Sequence, residues 1–296
     1  MLSVVLPSRG RSASLERAVR SLVRGGPVEV LVGLDEDDPD LRQSRDRIDG
    51  LPGVRVIVGP RPPCQAVLYN KLAREAANES IVLFCDDYTV DQENWTELAE
   101  RTMACLPYGY GVGYLKDAMY PFFSTFPMLN KQTIALNTDG DFLPGYYPFL
   151  FGDTHWNEIG AMSMLILPSE ASVTIQQETG HIHKFSDLKL HSRFFHELRP
   201  FRAQIAVDLI RAAFGSDPIA DRIIQGMPER SEALERMHAT CMTEEFYEKH
   251  DNKHGGFRHP AYPAMKTKIE DALSQILAAK EARVGNDQGS TGQASA

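Results

Sequence analysis

The sequence predicts an α/β protein: a mostly parallel β-sheet with helices on both faces, followed by a C-terminal helical appendage. Three observations carry this prediction. Residues 2–6, 28–34, 54–58 and 81–85 are short runs apolar almost throughout, as expected of strands covered on both faces, and stretches of helical spacing separate them. The chain has 296 residues, 43% hydrophobic and 24% charged, enough length and apolar content for a sizeable core without disulfides. Beyond about residue 200 the apolar spacing is helical only, as in Ile269, Leu273, Ile276 and Leu277. The expected division is an α/β domain over residues 1–200, a helical appendage over 201–284, and a small polar, disordered tail over 285–296.

Each element of the first half has a local cause. The first strand runs into Pro7-Ser8-Arg9-Gly10, a loop sequence. Ser12 or Ser14 can then cap a helix with Leu15, Ala18, Val19 and Leu22 on one face, ending at Gly25-Gly26. The second strand enters the acidic turn Asp35-Glu36-Asp37-Asp38-Pro39, and the third closes at Gly59-Pro60. Residues 66–77 read as a helix, and the fourth strand stops at Asp86-Asp87. From about 106 to 165 the chain is rich in aromatics, Gly and Pro, which suits irregular binding loops laid over the sheet.

Charge and motifs exclude several functions. Lys plus Arg is 31 against 40 Asp plus Glu, a net charge of −9, so general nucleic-acid binding is not expected. No apolar run approaches the ~20 residues of a membrane span, and the N-terminus lacks a signal-peptide pattern. Cys64, Cys85, Cys105 and Cys241 form no CxxC pair, so a reducing cytoplasm is the expected setting. The Gly-rich P-loop, the Gly-x-Ser-x-Gly elbow and the His-Glu-x-x-His helix do not occur.

In parallel α/β sheets, ligands bind beyond the carboxyl ends of the strands. The polar clusters at 8–11, 35–38 and 86–87 all follow strands directly. Adjacent carboxylates at a strand end repel one another unless a cation or hydrogen bonds compensate them. A divalent metal bridging to a diphosphate would do so, with oxygen ligands suited to Mg²⁺ or Mn²⁺. A solvated, helix-capping turn is the alternative. Arg9 suits a diphosphate or a base edge through its fixed fork of donors.

The order SVVLPSRGR, VEVLVGLDEDD and YNKLAREAANESIVLFCDD, with Trp95 beyond, resembles the family-2-type glycosyltransferases of GT-A fold over roughly residues 2 to 165. The resemblance implies a Rossmann-like nucleotide-sugar-binding and catalytic domain. It implies donor contacts from Pro7, Ser8, Arg9, Asp35, Asn70, Lys71 and Asp86, and a metal, Mn²⁺ or Mg²⁺, on Asp87. The family's Asp-x-Asp motif reads Cys85-Asp86-Asp87 here, with its first acid missing. A late histidine often completes the metal site in such enzymes. All nine histidines lie at or beyond His155, and His181 and His183 alternate so that both would face one side of a strand.

The family places the acceptor-side base where Gly152-Asp153 stands, so Asp153 inherits that role, with Glu158 in reserve. Aromatic neighbours would desolvate the carboxylate and raise its pKa, and Tyr147 and Trp156 could stack on sugar rings. Asp153 could instead cap a helix beginning near Thr154, with Trp156 in the core. The implied activity is transfer of a sugar from a nucleotide-diphosphate sugar to an acceptor hydroxyl of unknown class, with metal dependence and inversion. A nucleotidyltransferase and a non-catalytic sugar-nucleotide- or glycan-binding module are the alternatives.

Overall fold

The computed structural model describes residues 1–120, 123–147, 151–176, 187–250 and 261–290. One sheet organises the chain, in the order β3-β2-β1-β4-β7-β6-β8-β5. Strands β1 (Leu2–Ser8), β2 (Glu29–Asp35), β3 (Val54–Gly59) and β4 (Ser80–Leu83) are mutually parallel. They are the apolar runs of the sequence, buried because helices cover them: Val4, Val5, Leu6, Leu31 and Val32 are fully enclosed. Strand β5 (Tyr88–Val90) pairs antiparallel with β8 (Ile166–Ile175), β6 (Val112–Asp117) runs parallel to β8, and β7 (Phe126–Asn130) is antiparallel to β4 and β6. The segment expected to be irregular loop therefore completes the sheet. These directions put the ends of β1, β2, β4, β6 and β8 and the start of β5 along one edge.

Helices α1 (Ser12–Arg24), α2 (Leu41–Ile48), α3 (Gln65–Glu75), α4 (Trp95–Ala104) and the short α5 (Lys131–Ile134) connect the strands. Gly33 in β2 is a packing requirement: a Cβ there would lie 3.0–3.1 Å from Leu68 and Leu72 of α3. That close approach fixes α3 over the sheet. Between β7 and β8, α6 (Gly152–Ser163) buries Trp156, Ile159 and Met162.

Among the described residues six helices follow β8: α7 (Leu188–Glu197), α8 (Arg199–Phe214), α9 (Pro218–Gln225), α10 (Met227–Cys241), α11 (Glu244–His250) and α12 (Tyr262–Ser290). The expected boundary at 200/201 falls inside α8. Ile205, Ala206, Leu209, Ile210 and Ala213 of that helix, with Ala220 and Met227, share the main core with the sheet. A smaller cluster joins Tyr147, Phe151, Phe194 and Phe195 to Ile269 and Leu273 of α12. Helix α12 continues to Ser290, into the stretch expected to be tail. Among the described residues no helix is long and apolar enough to cross a membrane.

Candidate functional site

The polar residues that follow the parallel strands meet at the sheet edge. Ser8 ends β1, and its buried hydroxyl donates to Asp86 Oδ2 at 2.5 Å. Gly10 turns the chain in the left-handed region, φ +66°, a conformation glycine adopts without steric cost. The next residue, Arg11, lies at the N-terminal boundary of α1 and reaches back over the acidic pair. Its Nη2 is 2.9 Å from Asp86 Oδ1 and its Nη1 is 3.6 Å from Asp87 Oδ2. Burial pushes the Asp86 carboxyl up to about 6, against the opposing pull of Arg11 and Ser8.

The acidic turn after β2 is a built structure. Asp38, buried, accepts the backbone N–H of Gly10 at 3.0 Å and that of Asp40 at 2.9 Å. Asp35 and Asp37 hold Arg9, whose Nη1 is 3.0 Å from the first and 2.6 Å from the second. Burial raises the Asp35 carboxyl, while the Arg9 hydrogen bond lowers that of exposed Asp37. Two arginines two residues apart thus take different partners: Arg9 the second-strand acids, Arg11 the fourth-strand pair. Arg11, which the sequence reading did not single out, is thus the arginine that faces the acidic pair.

Gln176, at the end of β8, locks this edge. Its backbone N–H donates to the Asp87 carbonyl at 2.7 Å, and its Nε2 donates to the carbonyls of Ser14, Asp86 and Tyr88 at 3.1–3.3 Å. Asp117, buried at the end of β6, accepts the Tyr88 hydroxyl at 3.1 Å and the N–H of Met119 at 2.8 Å. Neither residue had a sequence signal beyond following a strand. His181 and His183 lie outside the described residues, five and more positions beyond Gln176.

The other expected donor residues divide. Pro7 is buried within β1, paired with Gly33. Lys71 is exposed on α3, its Nζ against Gly59 at the end of β3, the strand partner of Asp35. Asn70 does not face this edge as a free amide. It is buried, its Nδ2 donating to the Leu143 carbonyl and its Oδ1 accepting the Leu143 N–H, both at 2.7 Å.

That clamp has a consequence for Asp153. Leu143 packs on Gly152, the first residue of α6, so α3 positions the start of the helix on which Asp153 stands. The same α3 carries Tyr69, whose hydroxyl donates to the Phe84 carbonyl beside the acidic pair at 2.9 Å. Helix α6 begins at Gly152 with Phe151 at its N-cap, and no side chain caps it. Asp153 is in the first turn and accepts Thr154 N–H at 2.7 Å and Thr154 Oγ1 at 3.2 Å. It keeps partial solvent contact while protein crowds its other sides, and that burial raises its carboxyl despite the Thr154 hydrogen bonds.

The remaining acceptor-side expectations are corrected by burial: the helical turn of α6 takes Trp156 and Glu158 inward, and Tyr147 packs before the helix begins. Trp156 is fully buried with Nε1 donating to the Phe142 carbonyl at 2.7 Å, so neither ring face is open to a sugar. Tyr147 is buried against Phe195, and its hydroxyl accepts Arg202 Nη1 at 2.8 Å. Glu158 lies between Arg199 at 3.1 Å and Arg202 at 2.7 Å, all three side chains 7% exposed or less. Its carboxylate joins α6 to α8 and is not placed to serve as a base.

Asp86 and Asp87 are the described carboxylates that would hold a divalent cation. Both Asp86 oxygens are taken, by Ser8 and Arg11, and Asp87 faces the same guanidinium. Among the described residues no three His, Cys, Asp or Glu side chains converge to hold a metal.

No protein-family model matches the sequence, and no curated protein matches it either. Solved structures do resemble the fold. The mannosyltransferase PcManGT from Pyrobaculum calidifontis, solved with GDP-Man and Mn²⁺, is 13% identical, with 93% of this chain and 86% of that chain covered and a TM-score of 0.49. S. aureus TarS 1–349, solved with UDP and with UDP-GlcNAc, is 14% identical, with 84% of this chain and 77% of that chain covered and a TM-score of 0.53. The likeness to TarS establishes that this chain has the α/β fold of a GT-A-type glycosyltransferase.

Proposed function

We propose that the protein is a glycosyltransferase that moves a sugar from a nucleoside-diphosphate sugar to an acceptor hydroxyl, with inversion at the anomeric carbon. One observation carries the reading. A nucleotide-side cluster (Ser8, Arg9, Arg11, Asp35, Asp86, Asp87) and a partly desolvated carboxylate, Asp153, are braced against each other through α3. The fold shared with TarS, whose structure was solved with UDP-GlcNAc, supports it.

In this account Asp35 accepts from the base or ribose and Arg9 donates to an edge beside it. Asp153 takes the proton from the acceptor hydroxyl as that oxygen forms its bond to the anomeric carbon. The bond from that carbon to the diphosphate oxygen breaks, and its electron pair leaves with the nucleoside diphosphate. A raised carboxyl pKa suits a base working near neutral pH, and fixed cations meet the charge that develops on the leaving group. One base acting opposite the leaving group gives inversion. A divalent cation, Mn²⁺ or Mg²⁺, would be held by Asp87 with Asp86 beside it and would supply further neutralisation of the leaving diphosphate. The four free cysteines are consistent with a cytoplasmic setting.

A thermal-shift screen of UDP-, GDP-, ADP- and dTDP-sugars tests the reading, because a ligand of the native state raises the melting temperature by mass action. A shift is expected with one nucleotide class and its diphosphate. No shift with any of them at millimolar concentration would refute it.

A further inference from the structure

Among the described residues, five other than glycine have a left-handed backbone, and four of them have an ordinary reason for it. Asp139 and Asp187 are of a type that tolerates this region. Met164 ends α6 at the C-terminal position where it is common, and Tyr108 stands in an exposed turn. Phe151 has no such reason. It is bulky and buried, with φ +70° and ψ 7°, at the N-cap of α6, where an extended backbone and a polar side chain are usual. Such a conformation is unfavourable for a residue with a Cβ and persists only where the surroundings fix it.

The helices after β8 fix it. The Phe151 ring stacks on Phe195 of α7, with ring centroids 4.8 Å apart and planes at 21°, and meets His238 of α10 at 6.4 Å. Phe195 is itself fully buried and carries the Arg202 guanidinium 3.7 Å from its ring centroid, so this platform is not free to yield.

The backbone of Phe151 leads directly into the turn that carries Asp153. Its carbonyl accepts the N–H of His155 at 2.8 Å, within the first turn of the helix. Phe151 has no polar side chain with which to cap that turn, and Thr154 donates its N–H and its hydroxyl to Asp153 Oδ1, at 2.7 and 3.2 Å. Gly152, between the two residues, packs on Leu143. An extended Phe151 would bring the chain into α6 from another direction, so the bearing of the Asp153 side chain is set at this residue.

We propose that Phe151 is a positioning residue for the base: the stack on Phe195 and His238 holds its strained backbone, and that backbone aims the Asp153 carboxylate at the acceptor. The helices after β8 thereby act on the chemistry through an aromatic contact, without touching substrate. The inference rests on the reading of Asp153 as the base, and the test separates the two.

The test compares wild type, Phe151→Leu, Phe151→Met, Phe151→Tyr and Asp153→Asn, with thermal melts to establish which are folded. The rate is the release of nucleoside diphosphate from UDP-GlcNAc, GDP-mannose, ADP-glucose and dTDP-glucose, with water standing in for the acceptor hydroxyl. Wild type is expected to turn over one of these donors. Phe151→Leu and Phe151→Met keep an apolar side chain and lose the stack. Their kcat should fall about 10- to 100-fold, the scale of a small misplacement near the reacting groups, with the donor KM within about twofold of wild type. The acidic limb of their kcat profile should also move to lower pH, because burial raises the Asp153 carboxyl and a carboxylate turned toward solvent loses part of that effect. Phe151→Tyr keeps the ring and should keep both values. A role in folding alone would lower the melting temperature and leave kcat per folded molecule and the pH limb unchanged, and that result would overturn the inference. So would failure of both stack-breaking variants to fold. In either case a loss of about 100-fold in Asp153→Asn would leave the base reading standing. Near-normal turnover by Asp153→Asn would overturn the base reading and the inference together. A wild type that releases no nucleoside diphosphate would overturn the glycosyltransferase reading as well.

Discussion

Replacing Glu158 by Gln tests whether this carboxylate is a structural counter-charge or a reserve base. Glu158 is the close partner of two guanidiniums, 3.1 Å from Arg199 and 2.7 Å from Arg202. Arg202 is fully buried, with Nη1 donating to Tyr147 and to the Phe195 carbonyl and its plane 3.7 Å from the Phe195 ring centroid. Among the described residues the one further acid on this pair is Glu235, exposed and 3.9 Å from Arg199. Removing the Glu158 charge therefore leaves two buried cations without a buried counter-charge. Breaking a buried pair in this way costs about 3–5 kcal/mol, a large share of the roughly 5–15 kcal/mol that holds a typical domain folded. At roughly 2–4 °C per kcal/mol for a domain of this size class, the melting temperature should fall by about 6–20 °C. Urea unfolding at pH 7.5 measures the loss, and nucleotide titration of the same sample should show unchanged affinity. A triple replacement of Glu158, Arg199 and Arg202 by Met should recover most of the stability, because no buried charge is then stranded. A Glu158→Gln protein within about 0.5 kcal/mol of wild type, the range of neutral surface substitutions, would refute the reasoning.

Three other substitutions follow from the same geometry. Asn70→Ala removes both hydrogen bonds to Leu143; it should destabilise by about 1–3 kcal/mol and lower sugar transfer more than nucleotide affinity, and a loss confined to nucleotide affinity would contradict the clamp. Asp153→Asn should cut transfer about 100-fold with nucleotide affinity unchanged in titration; near-normal transfer would remove Asp153 from the base role. His238 stacks on Phe195, and burial lowers its pKa from 6.5 to about 4. The unfolded chain then binds the proton more tightly, so the stability this ring contributes is full above pH 6.5 and is lost as pH falls from there toward 4. The shift corresponds to at most about 3 kcal/mol, and to less because the ring is only partly buried. Asp86, held up at about 6, acts with the opposite sign. The contribution is therefore read as the stability difference between wild type and His238→Gln in urea at pH 7.5 and pH 5. That difference should shift in favour of the variant at pH 5, and a constant difference would contradict the assignment.

How much of this was legible beforehand depended on burial. Strands β1 to β4 are covered on both faces, so their sequences are apolar runs that periodicity detects. The later strands carry interruptions: Gly113 in β6, Pro127 in β7 and Pro168 in β8 read as loop residues. They hold as strands because their neighbours in the sheet supply the pairing, which a single sequence does not reveal. The acidic pair and the loop after β1 were visible as polar clusters at strand ends. The division of labour between Arg9 and Arg11 was not, since only the left-handed turn at Gly10 decides which arginine faces which acids. The aromatic segment around Asp153 misled for a related reason. Read as an open loop, it offers Tyr147 and Trp156 to a sugar; wound as α6, it turns Trp156 and Glu158 inward and leaves Asp153 at the first turn.

The central claim is that the sheet edge binds a nucleoside-diphosphate sugar and breaks its bond at the anomeric carbon. Phosphorus NMR of the protein incubated with the donor selected by thermal shift tests it most directly. The account predicts that the phosphorus product is the nucleoside diphosphate, released slowly to water without an acceptor and faster once an acceptor hydroxyl is supplied. It also predicts that Asp153→Asn lowers the acceptor-dependent rate about 100-fold. Release of pyrophosphate or of a sugar phosphate would mean that a phosphoryl bond is cleaved instead, and would contradict the account.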